Sequence, residues 1–216
     1  MAIPKIIFQT FRSKKLPFIT RQFIKLMKLR NPAYRYEFYD DERIEMFMLK
    51  EFDDNVYQAY KRIDVGAVKA DFFRYAILYK YGGIYLDIDG YTISNLDKLI
   101  REDDHCIITH ERNPGLYAQY ALVFSAGHPF LKRTLEKVVD NINHNRFPHD
   151  GHMMTGPTVF TEAINECIAE NATDKYRILG VDYEGFLRSR YPFRKALYKK
   201  GEHWREAQQL RPILKN

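Results

Sequence analysis

The chain of 216 residues is long enough to bury one sizeable core, and no repeat, low-complexity run or linker divides it. Its two cysteines make no disulfide framework, and it has neither an apolar leader nor a stretch long enough to cross a bilayer, so we expect a cytoplasmic protein. The net charge of +6 at pH 7 predicts an anionic partner.

The apolar residues alternate between helical and strand-like spacing along the whole chain. In chain order, recurrence at helical spacing predicts helices at residues 19–29, 44–52, 64–81, 130–142 and 158–168. Alternating or short continuous apolar runs predict strands at residues 35–39, 84–89, 106–109 and 121–124. Interleaved strands and helices are typical of an α/β fold, so we expect a mostly parallel central sheet flanked by helices.

The strand predicted at 84–89 ends on two carboxylates. If it is extended, Tyr85, Asp87 and Asp89 point to one face and the apolar residues between them point to the other. Two ionised carboxylates this close repel each other, and a hard divalent cation such as Mn²⁺ or Mg²⁺ relieves the repulsion. The C-terminal end of a strand is where α/β folds bind ligands. This favours a metal that shares a substrate diphosphate over the alternative, a solvated Asp-x-Asp turn.

The helix predicted at 64–81 carries a second pair of charges. Asp71 and Arg74 lie three residues apart and therefore project from neighbouring positions of one turn. A carboxylate accepts hydrogen bonds from sugar hydroxyls, whereas a guanidinium donates them to hydroxyls or phosphate. We predict that the pair binds a phosphorylated sugar. The alternative is a surface ion pair worth about 0.3–0.5 kcal/mol.

A basic segment lies near the end of the chain. Residues 188–200 interleave basic and aromatic side chains without a single acid. Such a segment suits an anionic membrane face, where each basic residue contributes about 1 kcal/mol, and we predict peripheral membrane contact through residues 186–200. A solvated tail is the open alternative. We do not expect nucleic acid as a partner, because nucleic-acid binding would leave the acidic residues unexplained.

Six motifs resemble, in this order, the signature of the DXD sugar-transferase family, a glycosyltransferase family 32-like group. The family includes the yeast initiating α-1,6-mannosyltransferase and bacterial capsule and lipopolysaccharide glycosyltransferases. The motifs are IPKIIFQTF at 3–11, NPAYRY at 31–36 with the acids at 40–41, KADFFRY at 69–75, LYKYGGIYLDID at 78–89, GHPF at 127–130 and TGP at 155–157. The resemblance therefore spans most of the chain.

The resemblance implies a GT-A fold and a retaining glycosyltransferase with Mn²⁺ or Mg²⁺ as cofactor. The implied reaction transfers a hexosyl unit from a UDP- or GDP-linked sugar to a glycan or lipid-linked acceptor. One catalytic domain is expected over 1–216, with a nucleotide-sugar half at 1–100, an acceptor-side half at 101–185 and a basic, aromatic segment at 186–216. The expected role is surface polysaccharide synthesis, of capsule or lipopolysaccharide, at the inner face of the membrane.

The family signature assigns roles to the two charged pairs. Asp87 and Asp89 match the DXD acids, with Asp89 as the direct metal ligand and Asp87 reaching ribose or metal-bound water. Asp71 and Arg74 match the catalytic pair that holds the donor sugar, and Tyr85 matches the aromatic residue before the DXD motif.

The first strand is implied to bind the nucleotide, with an aromatic ring stacked on the base. Its candidate residues are Phe8, Gln9, Thr10 and Phe11. Phenylalanine replaces the more common His at position 8 and the more common Trp at position 11. Phe can stack on a base but has no indole donor, so the choice between uridine and guanosine stays open.

Candidates for the rest of the site lie later in the chain. His203 is a candidate metal ligand, because a late residue closes over the diphosphate in related enzymes; the alternative is a satisfied tail histidine. The acceptor-side candidates lie in loop-like or loop-adjacent segments after the donor half: Tyr117, Gln119, His152, Thr155, Gly156, Pro157 and Thr158.

Two other classes of protein stay open. The sequence LDIDG at 86–90 also resembles the nucleophile loop of haloacid-dehalogenase-like phosphatases, in which Asp87 would attack phosphate and Asp89 would act as acid and base. That family expects Thr directly after Gly, whereas Tyr91 intervenes here. The non-enzymatic alternative is a basic membrane- or RNA-binding protein, which would keep its binding after Asp89→Ala.

Overall fold

The computed structural model describes residues 2–173, 175–192, 194–197 and 211–215. Its strands are β1 (Ile6–Thr10), β2 (Arg35–Tyr39), β3 (Gly83–Leu86), β4 (Tyr91–Thr92), β5 (Cys106–Thr109), β6 (Ala121–Phe124), β7 (Arg177–Leu179) and β8 (Leu187–Arg188). Its helices are α1 (Phe18–Arg30), α2 (Asp41–Glu51), α3 (Asp54–Arg62), α4 (Gly66–Tyr81), α5 (Pro129–Asn143), α6 (Gly151–Met154) and α7 (Pro157–Ala169). Turns of 3₁₀ helix lie at Leu96–Lys98 and Arg194–Leu197, and a turn with left-handed backbone lies at Val181–Glu184.

A six-stranded sheet in the order β2-β1-β3-β6-β5-β7 crosses the described part of the protein. Strand β1 pairs in parallel with β2 and β3, and β5 pairs in parallel with β7. Strand β6 runs antiparallel to β3 and β5, and it joins strands from either side of residue 100 in one sheet. The expected α/β fold with a mostly parallel sheet is confirmed. The short strands β4 and β8 form a separate antiparallel pair.

Apolar side chains cover both faces of the large sheet. Along β3, Tyr85 points to the face covered by α2 to α5 and α7, whereas Ile84 and Leu86 point to the face covered by α1. On strand β6, Leu122 points to the same face as Tyr85, and Val123 points to the opposite face. Because both faces are buried, these two strands carry continuous apolar runs rather than an alternation with polar residues.

The helices predicted from apolar spacing all form, with ends shifted by at most three residues. Helix α2 begins before its apolar pattern, because the side chain of Asp40 caps it by accepting a hydrogen bond from the backbone N–H of Arg43. Helix α4 is buried over the whole stretch 72–78 rather than along the single stripe that the spacing predicts. In the described residues, no helix is both long enough and apolar enough to cross a bilayer.

Two glycines make the turn from α4 into β3 tight. Gly82 and Gly83 have φ values of +64° and +107°. A Cβ atom at Gly82 would lie 2.6 Å from the backbone nitrogen of Ala126, and one at Gly83 would lie 2.7 Å from the carbonyl oxygen of Ile6. Both positions therefore require glycine. The turn sets β3 beside β1 and β6 directly after the buried helix.

Strand β3 ends at Leu86, so the prediction of an extended strand through Asp89 is wrong. Asp87 follows the strand, and the chain then turns, with the backbone N–H of Gly90 donating to the carbonyl of Asp87 over 2.8 Å. The turn, rather than strand alternation, orients the two acids. They still lie at the C-terminal end of a central strand, where α/β folds bind ligands.

Candidate active site

Arg74 is the centre of a charge network between α4 and the end of β3. Its Nη2 atom lies 3.1 Å from Oδ1 of Asp71 and 3.1 Å from Oδ1 of Asp87. The hydroxyl of Tyr85 donates to the same Asp87 oxygen over 3.0 Å, and the Arg74 guanidinium lies 4.8 Å from the centre of the Tyr85 ring. The Arg74 side chain is only 7% exposed. The predicted helix pair and the first acid after β3 therefore form one network.

Burial sets the protonation of this network. It raises the pKa of Asp71 to about 7 and that of Asp87 to about 6, because the charged carboxylates lose hydration that Arg74 only partly replaces. Burial also opposes the charge of Arg74, but the attraction of Asp87, Tyr85 and Asp71 outweighs it and raises the pKa of the guanidinium. Two acids thus share one permanent cation, so the network favours a further cation or hydrogen-bond donor.

We expect Asp71→Asn to change how the stability of the protein depends on pH. The folded Asp71 carboxyl holds its proton up to about pH 7, whereas an unfolded one loses it near about pH 3.9. The native state therefore binds more protons between these values, and its stability falls as pH rises through them. The wild type should lose roughly 1–3 kcal/mol relative to the variant between pH 5 and pH 8, measured by urea denaturation. Parallel profiles for the two proteins would show that Asp71 has an ordinary pKa.

Asp89, the second acid, is held by residues close to the end of the chain. Its side chain is 9% exposed, and its Oδ2 atom lies 2.9 Å from Nη1 of Arg194. Its carbonyl accepts a hydrogen bond from the backbone N–H of Tyr191 over 2.8 Å. Sequence reasoning missed Arg194 here, and no local pattern points to it, because 105 positions separate the two residues. A protein cation therefore pairs with the second acid.

The donor set fits a hard divalent cation that is shared with a substrate. Asp87 and Asp89 supply carboxylate oxygens beside one turn, and within the described ranges no group of three His, Cys, Asp or Glu side chains converges on a possible metal site. Mn²⁺ and Mg²⁺ do not need a third protein ligand, since one or two carboxylates, waters and substrate phosphates complete their coordination. The carboxylate of Asp89 already attracts one cation, the guanidinium of Arg194, so its charge is suited to a metal ion as well.

Strand β1 supports the acids through its polar side chains. The Nε2 atom of Gln9 donates to the carbonyl of Asp87 over 3.0 Å, and its Oε1 atom accepts from the hydroxyl of Tyr36 over 3.1 Å. The hydroxyl of Thr10 donates to the carbonyl of Tyr39 over 2.8 Å. Gln9 thus fixes the turn that carries the DXD acids, whereas Thr10 joins β1 to β2.

The two phenylalanines of β1 and its end lie in different environments. The ring of Phe8 is 1% exposed and packs against Tyr39 in the core, so the prediction that it stacks on a nucleobase does not fit its position. An inward side chain at this position follows from the alternation of the strand. Phe11 follows the strand and is partly exposed, with the guanidinium of Arg12 at 5.5 Å from its ring centre. It is therefore the better candidate for stacking.

Gln119 and Thr155 close the other side of the network. The backbone carbonyl of Gln119 accepts a hydrogen bond from Nη1 of Arg74 over 2.8 Å, and its side chain donates to the hydroxyl of Tyr75. The hydroxyl of Thr155 donates to Oδ2 of Asp71 over 3.3 Å. Gln119 and Thr155, both predicted on the acceptor side, therefore contact the donor-side pair of Arg74 and Asp71.

Gly156 and Pro157 begin helix α7 directly after Thr155. A Cβ atom at Gly156 would lie 2.6 Å from Cα of His152, so the turn has no room for a side chain. Pro157 occupies the first turn of the helix, where its missing N–H is not needed. Both residues set the position of Thr155 against α4, and contact with an acceptor stays a prediction.

The predictions for the end of the chain have mixed outcomes. His203 lies outside the described residues. In the described part of the basic segment, Arg188 pairs with Asp182 at 3.0 Å and Arg194 with Asp89, while Leu187 and Leu197 are buried. This part of the segment is folded onto the protein, and two of its arginines pair with carboxylates rather than standing free in solvent.

Residues 18–106 match a family model described as the glycosyltransferase sugar-binding region containing the DXD motif. The matched range contains Asp71 and Arg74 of α4 and both Asp87 and Asp89 after β3. Two fission yeast proteins (Schizosaccharomyces pombe) are also similar. An initiation-specific alpha-1,6-mannosyltransferase is 27% identical over 192 residues, or 75% of this chain and 48% of that protein. Inositol phosphoceramide mannosyltransferase 3 is 31% identical over 160 residues, which are 72% of this chain and 43% of that protein.

The chain therefore spans about half the length, or less, of these curated relatives. Two solved structures share its fold. The PaToxG glycosyltransferase has a TM-score of 0.66 at 20% identity and covers 78% of this chain and 71% of its own. The UDP-bound glycosyltransferase domain from the YGT toxin has a TM-score of 0.63 at 9% identity. That match covers 92% of this chain and 82% of the toxin domain. These likenesses confirm the GT-A fold that the sequence motifs imply.

Proposed function

Because residues 18–106 place this chain in the family of glycosyltransferases with a DXD-containing sugar-binding region, we propose that it transfers a hexosyl group from a nucleotide sugar to a hydroxyl of a glycan or lipid-linked acceptor. The observation that carries the proposal is the convergence of Asp71, Arg74 and Asp87 at the end of β3, with Asp89 in the adjoining turn. Two relatives are mannosyltransferases by name, and one structural neighbour is UDP-bound, so both GDP- and UDP-linked hexoses are donors to test.

The network around Arg74 is suited to hold the donor sugar. Asp71 accepts hydrogen bonds from sugar hydroxyls, while Arg74 is locked by Asp71, Asp87 and the carbonyl of Gln119. A guanidinium fixed on three sides keeps its planar orientation when a ligand binds, so little entropy is lost. Phe11 is positioned at the end of β1 to stack on the base, and Gln9 keeps the DXD turn in place.

Asp87 and Asp89 would hold Mn²⁺ or Mg²⁺ together with the diphosphate of the donor. When bound, the ion supplies positive charge that stabilises the departing nucleoside diphosphate. Asp89 is the direct ligand in this proposal, and Asp87 contacts ribose or a water of the ion while it anchors Arg74. His203 is a third ligand candidate.

The reaction exchanges one bond at the anomeric carbon for another. The bond from this carbon to the diphosphate oxygen breaks, a bond to the acceptor oxygen forms, and the acceptor proton goes to the departing diphosphate. The chain supplies orientation: Asp71 and Arg74 fix which face of the sugar meets the acceptor. Attack from the side of the leaving group retains the configuration, as the family resemblance implies.

We expect Arg194→Gln to bind Mn²⁺ more tightly than the wild type. The Arg194 guanidinium pairs with the carboxylate proposed as the direct metal ligand, so the two cations compete. An ion pair of this exposure contributes about 0.5–1 kcal/mol, which corresponds to an affinity gain of about two- to fivefold. Titration of free Mn²⁺ by electron paramagnetic resonance measures it without any substrate. Unchanged or weaker binding would mean that Arg194 does not compete with the metal.

Thermal melting of the purified protein with nucleotides tests the donor proposal. UDP, GDP, UDP-glucose, UDP-N-acetylglucosamine and GDP-mannose are each added with and without Mn²⁺, to the wild type and to Asp89→Asn. One nucleotide and its sugar should raise the melting temperature of the wild type only when metal is present, and should not do so in the variant. If no nucleotide shifts melting with either Mn²⁺ or Mg²⁺, the donor site is misassigned.

The phosphatase alternative is less well supported. A nucleophilic aspartate needs a carboxylate free to attack phosphorus. Oδ1 of Asp87 instead accepts from Arg74 and Tyr85, and the family match is to a sugar-binding region.

The wider role rests on the resemblance and the names of relatives. A single catalytic unit over 1–216 and a part in surface polysaccharide synthesis, such as capsule or lipopolysaccharide, at the inner face of the membrane extend the proposal. The inositol phosphoceramide relative supports a lipid-linked acceptor. Membrane contact through residues 186–200 belongs to the same proposal.

A further inference from the structure

Helix α1 has a face that nothing in the described part of the protein covers. Phe18 and Leu29 are each 68% exposed, although both are large and apolar. At 100° per residue these two positions lie on the same side of the helix, opposite the buried side chains of Thr20 and Met27. The two apolar side chains lie at opposite ends of this face, about 16 Å apart along the helix, with Gln22 and Lys25 between them.

Three basic residues lie between these two apolar residues. Arg21, Lys25 and Lys28 are all exposed, and no carboxylate of the described residues forms an ion pair with them. Together with Ile24 and Leu29 they line a shallow depression of about 410 Å³. The face therefore presents basic side chains without ion-pair partners among the described residues, between two exposed apolar side chains at the ends of the helix.

The sequence around α1 extends this charge. The first 36 residues contain nine of the 34 basic residues and none of the 28 acidic residues, so the remainder of the chain is net acidic. The first 36 residues thus carry nine positive charges and no negative one, whereas residues 188–200 carry six positive charges, two of which pair with Asp182 and Asp89.

The residue Tyr191 connects helix α1 to the candidate active site. The ring of Phe23 stacks on Tyr191 at 4.5 Å, and the hydroxyl of Thr20 lies 2.6 Å from that of Tyr191. The backbone N–H of Tyr191 in turn donates to the carbonyl of Asp89. Because Tyr191 contacts the buried side of α1, a surface that binds the outer face would lie across the helix from the turn that carries the DXD acids.

We propose that the outer face of α1 docks on an anionic lipid bilayer surface. Lipid phosphates meet Arg21, Lys25 and Lys28, while Phe18 and Leu29 enter the boundary between headgroups and acyl chains. Nucleic acid accounts for the charge but leaves the exposed side chains of Phe18 and Leu29 without a partner. This docking does not depend on the proposed reaction, because it uses none of the residues assigned to the donor site.

Co-sedimentation of the full chain with vesicles tests the proposal. The protein should bind vesicles that contain roughly one-third phosphatidylglycerol and should not bind pure phosphatidylcholine. The triple variant Arg21→Gln, Lys25→Gln and Lys28→Gln should lower the partition coefficient at least tenfold, since each basic residue near the surface contributes about fivefold. Its melting temperature should stay at the wild-type value, because all three side chains are exposed.

A second triple variant removes the same charge from other faces. Lys50→Gln, Lys98→Gln and Lys132→Gln changes three exposed lysines outside α1 and should leave vesicle binding within about twofold of the wild type. The double variant Phe18→Ser and Leu29→Ser should also weaken vesicle binding. The effect should be larger at high salt, because salt screens the attraction between charges and leaves the apolar contacts as the main contribution to binding.

Three outcomes would overturn the proposal. Equal loss of vesicle binding in the two triple variants would show a general charge effect. Equal binding to both vesicle types would show that binding does not depend on anionic lipid. Binding of a single-stranded RNA probe that α1 variants abolish, without vesicle binding, would assign the face to nucleic acid. Nucleotide-sugar turnover with a soluble acceptor, unchanged in the α1 variants, separates these outcomes from any failure of the proposed reaction.

Discussion

Asp89→Asn should lower kcat/KM for sugar transfer by about 10³-fold while the protein stays folded. The proposed role of Asp89 is to hold the ion that stabilises the departing diphosphate, and losing about 4 kcal/mol of such charge stabilisation corresponds to three factors of ten. The asparagine side chain has the same shape, and its amide oxygen still accepts a hydrogen bond from Arg194. Rates measured at saturating and limiting Mn²⁺, with circular dichroism as the check on folding, test this result.

Asp97→Asn is the matched control for that change. Asp97 lies at the surface, where it pairs with Lys5 and accepts from Tyr34, away from the network of Arg74. Its variant should keep the wild-type kcat/KM within about twofold. If Asp89→Asn keeps its activity and its dependence on Mn²⁺, Asp89 is not a metal ligand.

Arg74→Ala should have the largest effect on stability, lowering the free energy of unfolding by about 3–5 kcal/mol. The change removes the guanidinium that offsets the charges of Asp71 and Asp87 and leaves the carbonyl of Gln119 without its donor. Since protonation neutralises the two stranded acids, the loss should be smaller at pH 5 than at pH 8. Urea denaturation at both values measures it.

Two further arginine variants separate charge from geometry. Arg74→Lys keeps the positive charge but has no second nitrogen to donate to the carbonyl of Gln119 while the first contacts both acids, so it should recover only part of the stability and little of the donor binding. Arg112→Ala removes an exposed guanidinium from Asp182, which keeps Arg188 and Tyr120, and should cost less than about 1 kcal/mol. Equal costs for Arg74→Ala and Arg112→Ala would contradict the central place of Arg74.

Much of the fold could be predicted from local sequence, because apolar spacing reports which side chains a helix or strand buries. Strands β2, β5 and β6 were predicted to the residue, and the helices were predicted to within three. Helix α3 was missed because it is short and mostly polar, and β7 because three residues form no period. The predicted strand ran on to Asp89, whereas β3 ends at Leu86. The alternation of apolar and acidic residues at 86–89 is compatible with either a strand or a turn, so it did not show where the strand ends.

The site was predictable where its parts lie close in sequence. Asp71 and Arg74 share a helix turn, and the two glycines that follow bring Asp87 back to them. Contacts between distant segments left no such signal. The pairing of Arg194 with Asp89 and the burial of Phe8 depend on how the chain closes in three dimensions. The exposed face of α1 was missed for a related reason, since helical spacing predicts a buried side but does not reveal whether the other side is covered.

Product analysis after incubation with a nucleotide sugar tests the central claim most directly. The wild type should release a nucleoside diphosphate and a sugar of retained anomeric configuration, only in the presence of Mn²⁺ or Mg²⁺, and Asp89→Asn should release both about 10³-fold more slowly. Release of inorganic phosphate from a phosphate monoester, with no nucleoside diphosphate formed from any donor, would contradict the account and return Asp87 and Asp89 to the phosphatase alternative.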